Sequence, residues 1–279
     1  MRHIATFAIL AASLAFPAHA QTLERIKETG ELNLGYRVDA APLSFQTPDG
    51  NPAGYAPSIC AAVAQTITNV LEMDNLEAQF VPVGTKDRFE KVASGEIDLL
   101  CGAATITLDR REIVDFSDPI YVDGVSILQH KDAPDTFSDL AGKKLGVRGA
   151  TSTQEALENS LSNAKMDAEI VRFESHDAGM KAMENKEIDA YFADQSILAR
   201  LFMQSPSGKD FKMSGEILTV EKQGLALARG DSDFRLVVDA ALSDLYASGQ
   251  MRAIFEAAVP GAEPGMALQA MYVIAPTLR

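Results

Sequence analysis

The stretch Ile97–Tyr121, IDLLCGAATITLDRREIVDFSDPIY, decides how the rest of the chain is read. Ile97-Asp98-Leu99-Leu100-Cys101 is a short apolar run stopped by Gly102, the pattern of a buried strand. Gly102, Ala103 and Ala104 then leave the backbone open to close approach. Two hydroxyls follow, Thr105 and Thr107, and then a helical turn carrying Asp109, Arg110, Arg111 and Glu112. Small residues at a strand's C-terminal end, with hydroxyls and a guanidinium just beyond, can grip an anion. In open α/β sheets that end of the strands is where ligands sit.

Outward from this stretch, strands and helices alternate. Before it, the pattern predicts helices over Thr22–Gly30, Pro57–Leu71 and Asp87–Ala93 and strands over Glu31–Val38 and Glu77–Val83. Pro42–Gly54, with its Pro48-Asp49-Gly50-Asn51-Pro52 turn, reads as a hairpin-like excursion. After it come a strand over Gly124–His130 and, past Lys131, a restart. Strands are expected at Lys144–Val147, Ala168–Phe173 and Ile188–Ala193, with helices near Thr153–Leu161, Ala178–Glu184 and Ser196–Met203. Gln223–Arg229 is a further strand, and Ser232–Ser248 and Met251–Ala258 are closing helices; Pro260–Arg279 is a tail without a clear pattern.

This alternation predicts an α/β protein with largely parallel sheets. It also contains an echo. Gly95-Glu96-Ile97-Asp98 leads into one strand and Lys186-Glu187-Ile188-Asp189 into another, with Asp98 and Asp189 91 positions apart and the same strand, loop and helix before each. A repeat of that size points to two related lobes. The same offset carries Thr85 onto His176 and Ala103 onto Asp194, so the polar residues fall at one edge of each lobe, as a cleft between lobes requires. The expected division is lobe one over 23–128 and 221–279, lobe two over 129–220, with Val125–His130 and Gln223–Ala228 as hinge strands.

The first twenty residues read as a signal peptide: Arg2 and His3, an apolar Ile4–Ala15 too short to span a bilayer, and Ala18-His19-Ala20 before the expected cut. The destination this implies is the periplasm. A formal charge of −14, or −15 without Arg2, argues against nucleic acid and anionic membranes as partners. Any cationic pocket must therefore be local and sheltered. Cys60 and Cys101 stand in no metal or redox spacing; an oxidising compartment permits a disulfide between them without implying one. No cofactor or metal is called for.

Several motifs together resemble the periplasmic polar-amino-acid-binding proteins of ABC importers, the family 3 solute-binding proteins. They are Gly54-Tyr55 before a helix, the Glu-Ile-Asp strand entries, Thr105 with Arg110, Asp115-Phe116-Ser117-Asp118-Pro119 leading to Tyr121, Leu140-Ala141-Gly142-Lys143-Lys144, Gly149-Ala150-Thr151-Ser152, and Asp194. Arg37, Thr85-Lys86-Asp87-Arg88 and His176 make the glutamate/aspartate-binding type the most similar. The resemblance implies a two-lobed fold with two hinge strands. It also implies a monomeric receptor that takes an amino acid, with glutamate or aspartate favoured, and delivers it to an ABC permease. Ala103 departs from the acidic-ligand branch, which has a serine there.

The chemistry of a zwitterion fits these residues. Arg110 offers a bidentate partner for an α-carboxylate, with Thr105 and Thr151 as neutral donors, and Asp194 answers the ammonium. Plainer roles compete: a surface pair of Arg110 with Asp109 or Glu112, and a helix cap for Asp194. Taken singly, Arg37 and Arg88 could be solvated and His176 structural; together they form a second group whose convergence makes sense for a ligand with a further negative charge, and His176 could also tie affinity to pH. Phe45 and Tyr121 are candidates for the pocket wall or for the core. The rival is a periplasmic dehydratase of the cyclohexadienyl type on the same fold. It needs an isolated acid tuned for proton transfer, and no Glu at a strand end, Ser-His-Asp or Cys-His pattern stands out. A sensor ectodomain would need a partner to reach the membrane.

Overall fold

The computed structural model describes residues 22–134 and 136–277; the expected signal peptide, residues 1–20, lies outside them. The chain opens with α1 (Thr22–Thr29) and β1 (Glu31–Arg37). A small three-stranded excursion follows, β2 (Asp39–Ala40), β3 (Ser44–Gln46) and β4 (Pro52–Ala53). Then come α2 (Tyr55–Val70), β5 (Glu77–Val83), α3 (Arg88–Ala93), β6 (Leu99–Cys101), the turn α4 (Leu108–Arg111) and β7 (Val114–Asp123). The next block is β8 (Val125–His130), β9 (Lys144–Arg148), α5 (Ser152–Ala164), β10 (Glu169–Phe173), α6 (His176–Glu184), β11 (Ala190–Asp194), α7 (Gln195–Gln204) and β12 (Phe211–Met213). The chain returns through β13 (Glu221–Ala228) to α8 (Ser232–Ala247), α9 (Gln250–Ala258) and α10 (Met266–Ile274).

Two five-stranded sheets result, ordered β5-β1-β6-β13-β7 and β10-β9-β11-β8-β12. The echo in the sequence is an echo in topology: β5, β1 and β6 run parallel, and so do β10, β9 and β11. The repeated aspartates explain themselves at this level. Asp98 Oδ2 accepts the Asn33 N–H at 2.8 Å, and Asp189 Oδ2 accepts the Lys144 N–H at 2.8 Å. In each lobe the carboxylate occupies a backbone donor at the start of the neighbouring strand, just before the central strand begins.

The sheets are mixed rather than mainly parallel. β13 and β7 join the first sheet antiparallel, as β8 and β12 join the second. The reason is the crossing of the chain: β13 and β8, the strands that enter from the other lobe, meet the parallel core head-on, and β7 and β12 pair outside them. The first crossing is at Gly124, where a Cβ would fall 2.4 Å from the Thr219 carbonyl oxygen of the returning segment. All six residues of β8 lie in the second sheet, pairing with β11 or β12, so the expected boundary at 128/129 falls inside a strand and the crossing lies upstream of it. β7 is not among the expected strands, because Asp115, Asp118 and Pro119 depress strand propensity. It is tolerated because it is an edge strand and Pro119 pairs opposite Gly224 at a register irregularity. Its carbonyls are also covered, since the Tyr246 hydroxyl donates to Pro119 and that of Tyr55 to Ile120.

Both faces of each sheet are buried, which is why the central strands are continuous apolar runs. Leu99, Leu225 and Leu227 face α2 and α8, while Leu100 and Ala226 face α3 with Val92 and Phe89. In the second sheet Tyr191 and Ala193 face Met180 and Ile197, and Ala190 and Phe192 face Leu157 and Leu145. The tail is anchored: α10 buries Leu268 and Met271 in the first core. Among the described residues no helix is long and apolar enough to cross a membrane.

Cys60 and Cys101 form a disulfide, Cα–Cα 6.1 Å, that ties α2 to the central strand of the first sheet. It spans 41 residues. Chain-entropy reasoning gives such a loop about 4 kcal/mol. Replacing both cysteines by alanine is expected to lower the unfolding free energy by about 2–4 kcal/mol in a denaturant titration; an unchanged midpoint would show that the bridge does not constrain the unfolded chain.

Candidate functional site

The polar residues picked out of the sequence come from separate turns and converge. β1 ends in Arg37, α3 begins with Arg88, the loop after β6 carries Thr105, and α4 carries Arg110. From the other sheet, Thr151 caps α5, His176 begins α6 and Asp194 ends β11. All seven line one cavity between the sheets, joined by Ala103, Ser152, Thr153 and Ile197. The faces are drawn together, leaving about 20 Å³ between them. That is room for about one water, so a molecule of amino-acid size enters only if the lobes part.

Arg110 is turned inward rather than paired at the surface. Its Nη1 donates to the Thr105 carbonyl at 2.7 Å, and its guanidinium carbon lies 5.0 Å from the centre of the Phe89 ring. Burial lowers its pKa, partly against the charge of Glu155. Arg88 is more enclosed, at 2% exposure, with its guanidinium carbon 4.8 Å from the same ring. Its Nε and Nη1 have no hydrogen-bond partner. Burial, with Arg37 and Arg110 nearby, pushes its pKa well below the ordinary arginine value.

Arg37 is not similarly free. Its Nη2 and Nε donate to Asp39 Oδ1 at 2.5 and 3.0 Å, while Arg148 Nε donates to Asp39 Oδ2 at 2.8 Å. Burial pushes the Asp39 carboxyl up, but Arg37 and the Arg148 hydrogen bond overcome it and hold the pKa at about 2.

Asp194 lines the same cavity. Its Oδ1 accepts from Thr153 Oγ1 at 3.2 Å and its Oδ2 from Gln223 Nε2 at 2.8 Å. It stands at the N-terminus of α7 but makes no capping hydrogen bond, so its side chain serves the cavity. Burial raises its pKa, and the charge of Glu221 raises it further; Asp123, hydrogen-bonded to Ser196, is raised by burial and by Asp194. Thr105 Oγ1 donates to Glu221 Oε2 at 2.5 Å, and Ser152 Oγ donates to the same oxygen at 3.0 Å. The Thr151 hydroxyl donates to the Arg148 carbonyl and accepts from the Gln154 N–H, so it is occupied in capping α5.

Phe45 and Tyr121 do not line the cavity; of the two readings Tyr121 takes the core one, packing with Tyr55 and Phe255. His176 is not placed to change charge near neutrality. It is buried, its Nδ1 lies 3.0 Å from the Tyr191 hydroxyl, and burial lowers its pKa to about 3, with Arg37 adding. Its ring geometry depends on Gly179, where a Cβ would lie 2.2 Å from the Tyr191 ring.

Residues that sequence reasoning misses include Asp39, Arg148, Ser152, Thr153, Glu221 and Gln223. Some carry a signal. Arg148 ends its strand as Arg37 ends β1, and Glu221 and Gln223 alternate on the face that later carries Leu225 and Leu227. Asp39 carries none.

Residues 32–259 match the bacterial extracellular solute-binding proteins, family 3. The chain is similar to an L-glutamate/L-aspartate-binding protein of Pseudomonas aeruginosa, 30% identical over 255 residues, spanning 89% of this chain and 84% of that one. It is also similar to a glutamate/aspartate import solute-binding protein of Salmonella typhimurium, 25% identical, spanning 86% of this chain and 80% of that one. Among solved structures, an ancestral arginine-binding protein bound to arginine superposes with a TM-score of 0.74 at 24% identity, spanning 82% of this chain and 97% of that one. The fold and site define a two-lobed solute receptor. The chain belongs to the bacterial extracellular solute-binding proteins, family 3, which bind solutes for transport, and the enzyme reading falls away.

With His176 below its usual pKa of about 6.5, the unfolded chain takes up a proton between that value and about 3 that the folded chain refuses. Stability contributed here is therefore lost as the pH falls through that window. Ring nitrogen shifts of His176 are expected to stay in the neutral range from about pH 8 to about pH 5; a titration midpoint near the ordinary value would contradict the burial described.

Proposed function

We propose that this receptor captures an acidic L-amino acid, L-glutamate or L-aspartate, between its two lobes and hands it to an ABC permease of the inner membrane. In this reading the lobes are residues 22–123 with 221–277, and residues 125–214. The protein is a monomer of the periplasm, exported by the signal peptide expected over residues 1–20. Arg110 takes the α-carboxylate, Asp194 the ammonium and Arg88 the side-chain carboxylate. Thr105 adds a polar contact beside Arg110, Thr151 shapes the wall through the α5 cap, and Arg37 and His176 flank the side-chain end. The ligand favours the closed form because only there do both sets of groups meet it. Hinge closure of two lobes around a ligand is the general behaviour of periplasmic binding proteins.

The observation that carries the reading is Arg88, a guanidinium 2% exposed and without partners on Nε and Nη1. Leaving a buried charge uncompensated costs several kcal/mol, so a ligand that brings a carboxylate there recovers that penalty and a neutral amide does not. The relatives named for glutamate and aspartate support the same choice. Ala103, on the cavity wall, supplies no hydroxyl.

Titration calorimetry with L-glutamate, L-aspartate, L-glutamine and L-asparagine tests this. The acids are expected to bind more tightly than their amides by about 2–5 kcal/mol, and Arg88→Met to erase most of the difference. Equal affinity for acid and amide, or a preference that survives Arg88→Met, would contradict the assignment.

A further inference from the structure

The cation cluster at the side-chain end of the cavity contains an acid of its own. Asp39 lies just past β1, and its carboxylate is 12% exposed. One oxygen receives Arg37 of the same lobe and the other receives Arg148 from the end of β9 in the opposite sheet. Both guanidiniums are enclosed, at 3% and 8% side-chain exposure. Arg148 Nη1 is further turned to the Phe173 carbonyl at 3.2 Å, with Glu174 at 3.8 Å. Two buried cations, of which Arg37 lines the cavity, are thus already answered by the protein.

We propose that Asp39 is a specificity-determining residue: a built-in carboxylate that occupies Arg37 and Arg148 and so restricts the ligand's side chain to a single negative charge. The inference rests on the acidic-ligand reading above and deepens it. Arg88 is left as the cation with unpartnered nitrogens, matched to one carboxylate. A side chain with two charges would have to share Arg88 or compete with Asp39, whose Oδ1 already accepts from both Nε and Nη2 of Arg37. Because its partners come from both sheets, the Asp39 bridge also forms only when the lobes are together.

The test compares the wild-type protein with Asp39→Asn, which keeps the side-chain shape and removes its charge. Each is titrated with L-glutamate, with L-γ-carboxyglutamate and with malonate. Wild type is expected to prefer glutamate over γ-carboxyglutamate by at least about tenfold. Asp39→Asn is expected to move that ratio at least about tenfold toward γ-carboxyglutamate and to gain malonate binding that wild type lacks. The double variant Asp39→Asn/Arg148→Gln, which removes the freed cation as well, is expected to return the ratio toward wild type; a general packing defect would not be reversed this way. A ratio unchanged by Asp39→Asn, or equal affinity of wild type for the two amino acids, would overturn the proposal. If wild type takes neither acid, the acidic-ligand reading has failed, and malonate still decides the role of Asp39: no gain in the variant refutes it.

Discussion

A guanidinium held out of water without a counter-ion is a heavy burden for a fold, on the order of several kcal/mol. The rest of this site can be understood from how that burden is borne. Arg88 is kept in place by the Phe89 ring and by enclosure at the start of α3, and not by an ion pair to its Nε and Nη1. Its neighbours are arranged so that it stays the odd charge. Arg37 and Arg148 share Asp39, His176 is held neutral, and Arg110 is turned toward the Thr105 carbonyl. In a chain of formal charge −14, this concentration of positive charge exists only because it is sealed between two lobes.

Acids balance it. Asp194, Glu221 and Asp123 gather where the chain crosses between sheets, and burial raises the pKa of Asp194 and Asp123 together. The cavity therefore presents both guanidiniums and a carboxylate, the two signs of charge that a zwitterion requires. Glu221 adds a mechanical role: one of its oxygens receives Thr105 from the first lobe and Ser152 from the second, so the crossing strand and both lobes meet at one atom.

Much of this is legible in the sequence because it depends on local patterns. The Ile-Asp pairs at 97–98 and 188–189 announce two lobes, and Asp98 and Asp189 make the same backbone contact in each. Strand-end positions announce Arg37, Thr105 and Asp194, since a residue just beyond a parallel strand has one place to go. What is not legible depends on distance in the chain. Asp39 and Arg148 are 109 residues apart, and no local pattern joins them. The Cys60–Cys101 bridge likewise depends on α2 lying over β6. β7 is hidden for a different reason, since its Asp and Pro are tolerated only because it is an edge strand with tyrosines on its carbonyls.

In the proposed function both lobes hold one acidic zwitterion, with Arg88 reserved for its side chain. A crystal structure of the protein grown with L-glutamate tests it most directly. The side-chain carboxylate is expected within about 3 Å of the Arg88 guanidinium, the α-carboxylate on Arg110 and the ammonium on Asp194. A ligand bound to one lobe alone, or one whose side chain leaves Arg88 unpartnered, would contradict it.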